Sequence, residues 1–133
     1  YIEQFRRKPI IRGDDIPDAI AHAACHTALA IGAKVIICCT RSGQTARLVA
    51  KYRPHATIAV VSPYENTLQR MMLLWGTYPI QIGLAENTDA MIAKAKEAVL
   101  VSGLAQKGDR VVIVAGIPVD VPGTTNIIKA GVL

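Results

Sequence analysis

Short apolar runs alternate along this chain with segments whose apolar residues recur at helical spacing, and this alternation constrains the fold more than any other feature. The first run, residues 34–39, reads Lys-Val-Ile-Ile-Cys-Cys, and further strand-length runs occupy residues 57–61, 77–82 and 110–115. A run without polar alternation is typical of a strand that is covered on both faces. Strands separated by helices predict parallel pairing and a doubly wound sheet.

Helices are predicted before and between these strands, at residues 14–31, 44–52, 64–74 and 87–102. We expect Asp14 or Asp15 to cap the first helix and Thr88 to cap the last. The final apolar stretch, residues 126–133, follows a Pro- and Gly-rich loop instead of a helix, so it is expected to return antiparallel at an edge. The predicted fold class is α/β, with three αβα layers around a five-stranded, mostly parallel sheet.

A length of 133 residues corresponds to one domain with its own core, predicted at residues 14–133. Residues 1–13 carry a basic cluster, Arg6-Arg7-Lys8, and are interpreted as a connecting segment. The rest of the net charge of +5 is scattered and is not interleaved with aromatic residues, so no nucleic-acid partner is expected. No apolar run reaches the ~20 residues that span a bilayer, so no membrane partner is expected either.

The three cysteines, Cys25, Cys38 and Cys39, are odd in number and lack the C-x-x-C spacing of a metal site. We interpret them as reduced, buried thiols of a cytoplasmic protein. His22 and His26 lie four residues apart on a predicted helix, but no third ligand accompanies them, so no metal site is predicted.

The loop that joins the first strand to the next helix, which we call the 40–45 loop, is the clearest chemical feature. It contains three hydroxyl side chains, an arginine, a glycine and a glutamine: Thr40, Arg41, Ser42, Gly43, Gln44 and Thr45. Glycine lets the backbone approach a ligand, the amides at a helix N-terminus favour an anion, and arginine suits phosphate. We predict that the loop holds a phosphomonoester, free phosphate or sulfate. The alternative is an ordinary turn in which Ser42 caps the helix.

A second loop, which follows the fourth strand, is expected to overhang the same end of the sheet. Its candidate ligand-binding residues are Pro122, Gly123, Thr124 and Thr125. Their backbone and hydroxyls are suited to close over a ligand, although a structural Pro/Gly turn explains them equally well. No Ser–His–Asp order, carboxylate pair or metal cluster is recognised, so no catalytic residue is predicted.

Seven segments together resemble the C-terminal domain of pyruvate kinase, and the resemblance covers roughly residues 14–133. The segments are AIAHAA (19–24), TRSGQTA (40–46), YRPHA (52–56), LWGTYP (74–79), KGDRVVI (107–113), GIPV (116–119) and PGTTNIIK (122–129). The resemblance implies the regulatory domain of a homotetrameric enzyme that transfers phosphate from phosphoenolpyruvate to ADP. It also implies that the catalytic barrel, which needs magnesium and potassium, lies outside this chain.

In family members activated by sugar phosphates, the loop that matches residues 40–45 grips an effector phosphate, and the loop that matches residues 122–126 closes over it. The last strand, from Ile127 to Leu133, is implied to take part in a subunit interface of the homo-oligomer. This agrees with an apolar strand at a sheet edge, which is an aggregation hazard when it is unpaired.

One stretch departs from the family pattern. Members that bind fructose bisphosphate generally hold its second phosphate with a Trp and an Arg between the third strand and the long helix, and residues 83–89 contain neither. Glu86 and Asp89 are expected to repel a second phosphate, so a sugar or nucleoside monophosphate, or bare phosphate or sulfate, is the expected ligand. Two alternatives are a free-standing binding module of this fold and a sugar isomerase domain, whose phosphate loop has similar chemistry.

Overall fold

The computed structural model describes residues 16–116 and 125–133. Its helices are α1 (Ile16–Ile31), α2 (Gln44–Lys51), α3 (Glu65–Met71) and α4 (Thr88–Ser102). Its strands are β1 (Val35–Cys39), β2 (Thr57–Ser62), β3 (Thr77–Gln81), β4 (Arg110–Gly116) and β5 (Thr125–Val132). The predicted caps Asp14 and Asp15, the connecting segment 1–13 and the loop residues Pro122, Gly123 and Thr124 lie outside the described residues.

The strands pair into a sheet with the order β3-β2-β1-β4-β5. β1 pairs in parallel with β2 and with β4, and β3 is parallel to β2. β5 is antiparallel to β4 and lies at one edge of the sheet. The sequence predicted this direction because a parallel connection needs a crossover, and no helix was predicted between the two strands. The predicted fold class, a five-stranded and mostly parallel α/β sheet, is confirmed.

The side chains of β1 are buried along the whole strand and alternate between two cores. Ile36 and Cys38 point into the core beneath α1, α2 and α3, whereas Val35, Ile37 and Cys39 point into the core beneath α4. Because helices cover both faces, neither face of the strand needs polar residues, and the run appears in the sequence as continuously apolar.

The cap of α4 differs from the prediction by one residue. Asn87, not Thr88, occupies the N-cap: its backbone is extended, and its side-chain oxygen accepts a hydrogen bond from the Ala90 amide at 2.8 Å. Both residue types make good caps, and a cap side chain must reach the amide three positions on. The backbone conformation at Asn87, which the sequence pattern did not specify, decides between them.

α3 is shorter than predicted and ends at Met71 instead of residue 74. Beyond it the chain turns into β3, and the Thr77 hydroxyl lies 2.9 Å from the carbonyl oxygens of both Met71 and Leu74. These two carbonyl groups also accept backbone hydrogen bonds, from the Leu74 and Thr77 amides, so the Thr77 side chain adds a second donor to each where the helix ends.

The three cysteines form no disulfide and are buried, as predicted. Burial raises the pKa of Cys39 from its usual 9.0 to about 12. Burial also raises the pKa of Cys38, and the neighbouring Cys39 and Cys25 raise it further. These two thiols therefore stay protonated at neutral pH and pack as small apolar side chains.

A buried carboxylate ties α1 to α2. Asp18, in the first turn of α1, is 2% exposed, and its oxygens accept hydrogen bonds from the Tyr52 hydroxyl and the Lys51 amine at 2.9 Å. The ring of His22, one turn further along α1, meets the Tyr52 ring edge-on with centroids 5.1 Å apart. Since α2 has only eight residues, this contact fixes the far end of the helix that begins at the 40–45 loop.

We expect Tyr52→Phe to lower the free energy of unfolding by about 2 kcal/mol, because a hydrogen bond to a buried charged group is lost while the ring is kept. Urea denaturation measures the change. Tyr78→Phe is the matched control, since Tyr78 is 48% exposed, and it should stay within about 0.5 kcal/mol of the parent chain. Equal stabilities of the two variants would show that the Asp18 contact does not hold α1 to α2.

Candidate functional site

The 40–45 loop lies at the carboxyl end of β1, in the middle of the sheet. β1 has β2 on one side and β4 on the other, so the direction of strand progression reverses beside it. In open parallel sheets this reversal point opens the crevice in which ligands bind. The structure therefore brings all six predicted residues of the loop to the expected end of the expected strand.

Two hydroxyls of the loop accept hydrogen bonds from its own backbone. Thr40 Oγ1 accepts from the Gly43 amide at 2.9 Å, and Ser42 Oγ accepts from the Gln44 amide at 3.3 Å. A hydroxyl that accepts a hydrogen bond keeps its own proton for donation, and the incoming bond polarises it. Thr40 and Ser42 are therefore suited to donate to an anion.

Gly43 shapes the start of α2. Its φ of 93° lies in the left-handed region, which glycine adopts without steric cost. Gly43 also occupies the N-cap position, one residue after the predicted cap Ser42, although Ser42 Oγ still accepts a hydrogen bond from the first amide of the helix, that of Gln44. The ordinary turn therefore stays an alternative prediction. A β-carbon at Gly43 would lie 2.7 Å from Cε and 3.0 Å from Sδ of Met71, so the end of that buried side chain would have to move to admit it.

The first turn of α2 adds backbone donors to the same end of the sheet. The leading amides of a helix have no carbonyl partner within it, and they carry the positive end of the helix dipole. Ser42 Oγ accepts a hydrogen bond from the first of them, the Gln44 amide. The first turn contains no acidic side chain that would compete with an anion for these amides.

Thr45 joins the loop to the start of β5. Its hydroxyl oxygen lies 2.5 Å from that of Thr125, and the two residues are 5% and 1% exposed. The structure thus places Thr125, a candidate from the second loop, beside the 40–45 loop. Because Pro122, Gly123 and Thr124 lie outside the described residues, closure of the second loop over a ligand stays a prediction.

Two residues of α3 contact the loop, and neither was among the residues predicted from the sequence. Thr67 Oγ1 donates to the Arg41 carbonyl oxygen at 2.7 Å, and Arg70 Nη2 donates to the Ser42 carbonyl oxygen at 3.3 Å. α3 follows β2, and β2 and β1 are parallel neighbours, so the beginning of α3 must border the end of β1. That adjacency is the sequence-level signal by which these residues could have been found.

The side chain of Arg41 lies on the α3 side of the loop. Its guanidinium carbon is 5.3 Å from the centroid of the Tyr64 ring, a cation–π arrangement in which both residues remain exposed. The pair forms a positively charged, partly aromatic patch on the α3 side of the loop.

Residues 16–116 and 125–133 contain no group of three or more His, Cys, Asp or Glu side chains that could hold a metal ion. Within the same ranges, the helices lack the combined length and apolar content that crossing a membrane requires. What the loop gathers is a set of amides, hydroxyls and a guanidinium group, and such a set binds anions.

We expect Gly43→Ala to lower the free energy of unfolding more than Gly32→Ala does. The additional loss reflects the contact with Met71. Gly32 has a φ of 65° and open space within 4 Å of the place a β-carbon would take, so alanine there should cost only the left-handed backbone penalty of about 1 kcal/mol. Gly43→Ala also forces the buried end of the Met71 side chain to move and should cost about 1 kcal/mol more. Urea denaturation of both variants measures the two losses of stability. Equal losses would contradict the packing of the 40–45 loop on α3.

Comparison with known proteins identifies the family. Residues 18–130 match the family model described as "Pyruvate kinase, alpha/beta domain". The pyruvate kinase of Clostridium acetobutylicum is 40% identical over 116 residues, which are 87% of this chain and 24% of that protein. The pyruvate kinase of Staphylococcus aureus is 38% identical over 112 residues, 84% of this chain and 19% of that protein. The chain therefore spans a quarter or less of these curated relatives, and it belongs to the pyruvate kinase alpha/beta domain family.

Proposed function

We propose that this chain is the regulatory and subunit-interface domain of a pyruvate kinase and that its 40–45 loop binds the phosphate of a small-molecule effector. On this proposal the whole enzyme works in the cytoplasm and transfers phosphate from phosphoenolpyruvate to ADP, with magnesium and potassium, at a site outside this chain. Family membership supports the assignment to the enzyme, and the geometry of the loop supports the effector site.

The observation that carries the effector site is the arrangement of donors at the end of β1. Thr40 and Ser42 each accept a hydrogen bond from the loop backbone, at 2.9 and 3.3 Å, and so keep their hydroxyl protons for a ligand. The helix that starts at Gln44 contributes further amides and a partial positive charge.

The ligand that fits is a single phosphate group. Glu86, in the connection between β3 and α4, and Asp89, in the first turn of α4, are both exposed where a second phosphate would need cations. Lys94 does reach this connection, since its amine donates to the Leu84 carbonyl oxygen at 2.5 Å. Two carboxylates still outnumber that one ammonium group, so the local charge disfavours a bisphosphate.

The two edges of the sheet differ in a way that supports assembly through β5, including its Ile127–Leu133 portion. β3 has five residues and carries Pro79, which lacks an amide proton and so blunts that edge. β5 has eight residues and no proline. Its open backbone edge is therefore the one that can pair with a second copy of the chain in a two-fold arrangement.

We expect phosphate, ribose 5-phosphate and AMP to bind the chain in calorimetric titrations. The second phosphate of fructose bisphosphate should add nothing to its affinity. Ser42→Ala should weaken binding about tenfold, because one donor to a charged ligand is lost. Ser102→Ala, at the distant end of α4, is the matched control and should bind as the parent chain does.

The same titrations have a pH signature. A phosphomonoester loses its second proton near pH 6, so its affinity should rise between about pH 5 and pH 7.5. Sulfate keeps its charge over this range and should show no comparable rise. Absence of binding by all of these compounds would leave the 40–45 loop as a structural turn only.

We expect the chain to form dimers through β5 and Ala130→Lys to shift them to monomers, because lysine on an exposed edge opposes strand pairing. Ala130 is exposed in the single chain, so the substitution leaves the core intact. Ala93→Lys, at an exposed position on α4, is the matched control and should stay dimeric. Light scattering measures the mass, and a monomeric parent chain at high concentration would contradict the proposed interface.

A further inference from the structure

Two successive carbonyl groups of the 40–45 loop are held by side chains of α3. Thr67, which is 3% exposed, donates its hydroxyl proton to the Arg41 carbonyl oxygen at 2.7 Å. Arg70 Nη2 lies 3.3 Å from the Ser42 carbonyl oxygen and 3.4 Å from Thr67 Oγ1. The guanidinium group can therefore donate both to the loop and to the threonine hydroxyl that holds the preceding carbonyl.

These contacts determine which way the loop amides point. A trans peptide is planar, and its N–H lies opposite its C=O. Holding the Ser42 carbonyl toward α3 turns the Gly43 amide away from α3, and this amide is indeed seen bonded to Thr40 Oγ1 at 2.9 Å. By the same geometry, holding the Arg41 carbonyl toward α3 turns the Ser42 amide away from α3, toward the crevice at the end of β1.

The orientation matters because the two ends of a peptide have opposite effects on an anion. A carbonyl oxygen that faces a phosphate repels it, whereas an amide that faces it donates a hydrogen bond. Arg41 and Ser42 lie outside the helices and strands, so no regular ladder of hydrogen bonds sets the orientation of the peptide between them. A contact from outside the loop is needed to set it.

We infer that Thr67 is a positioning residue for the anion site: by holding the Arg41 carbonyl, it presents the Ser42 amide as a donor to the phosphate, and Arg70 supports it. The inference rests on the proposed function of the 40–45 loop. It assigns α3 a part in ligand affinity although neither of its two side chains contacts the ligand.

The test compares Thr67→Val, which keeps the shape of the side chain and removes the hydroxyl, with Thr67→Ser, which keeps the hydroxyl. Inorganic phosphate and ribose 5-phosphate are the probes, calorimetry gives the affinity, and urea denaturation gives the stability. Thr67→Val should weaken binding by about fivefold to tenfold, and Thr67→Ser should stay within about twofold of the parent chain.

Thr77→Val is the matched control. Thr77 also donates to backbone carbonyls, those of Met71 and Leu74, but at the end of α3 that is remote from the loop. It should lower stability and leave the affinity for phosphate unchanged. If Thr67 had a structural role alone, Thr67→Val would behave in the same way.

An NMR titration with phosphate follows the amide itself. The Ser42 amide proton should move downfield in the parent chain and in Thr67→Ser, and this shift should shrink in Thr67→Val. Arg70→Gln, at an exposed position, keeps the test decisive if Thr67→Val fails to fold, and it should weaken binding about twofold to threefold at unchanged stability.

The outcomes separate the two levels of the proposal. A parent chain that binds neither phosphate probe overturns the proposed function. If the parent chain binds phosphate and Thr67→Val binds it with the same affinity, the positioning role alone is overturned. If Thr67→Val does not fold, parental affinity of Arg70→Gln has the same consequence. Binding without movement of the Ser42 amide in the parent chain overturns it as well.

Discussion

The burial of β1 on both faces is the constraint on which the rest of the structure depends. All five of its side chains are buried, alternately beneath α1 to α3 and beneath α4. A strand of this kind needs a helical layer on each side, and parallel neighbours allow the connecting helices to supply both. The same arrangement brings the end of β1 to the middle of the sheet, where the 40–45 loop opens toward the ligand crevice.

The helix that follows this loop depends on tertiary contacts more than on its own residues. α2 has eight residues, a length at which an isolated helix is marginal in water. At its start the Thr45 hydroxyl bonds to Thr125 at the beginning of β5, and at its end Lys51 bonds to the buried Asp18 of α1. The donors at the N-terminus of α2 are therefore held in place by the elements on either side of it.

The site is built mainly from neutral donors, and its arginines lie at the surface. Thr40 is 8% exposed and is satisfied by the Gly43 amide, whereas Arg41 rests on the exposed Tyr64. Burying a neutral hydroxyl that has a partner costs far less than burying an unpaired charge. Such a loop therefore needs no ligand charge to compensate a buried cation.

Local sequence patterns were enough to predict the layers, the parallel sheet with its antiparallel edge, and the residues of the 40–45 loop. The reason is physical: strand burial and the start of a helix each depend on residues within about four positions of one another. The prediction of Thr88 as the cap of α4 was wrong, because the choice between Asn87 and Thr88 depends on a backbone angle that both residues permit.

Contacts across long stretches of sequence were decided by the tertiary structure alone. Thr67 reaches the Arg41 carbonyl across 26 positions, and Thr45 meets Thr125 across 80. Which side chains meet at such separations depends on strand order and on the register of each helix against the sheet, and neither is written in the spacing of nearby residues. The sequence by itself determined that a loop with hydroxyls, an arginine and a glycine ends the central strand, and only the fold determined which side chains of α3 hold the carbonyl groups of that loop.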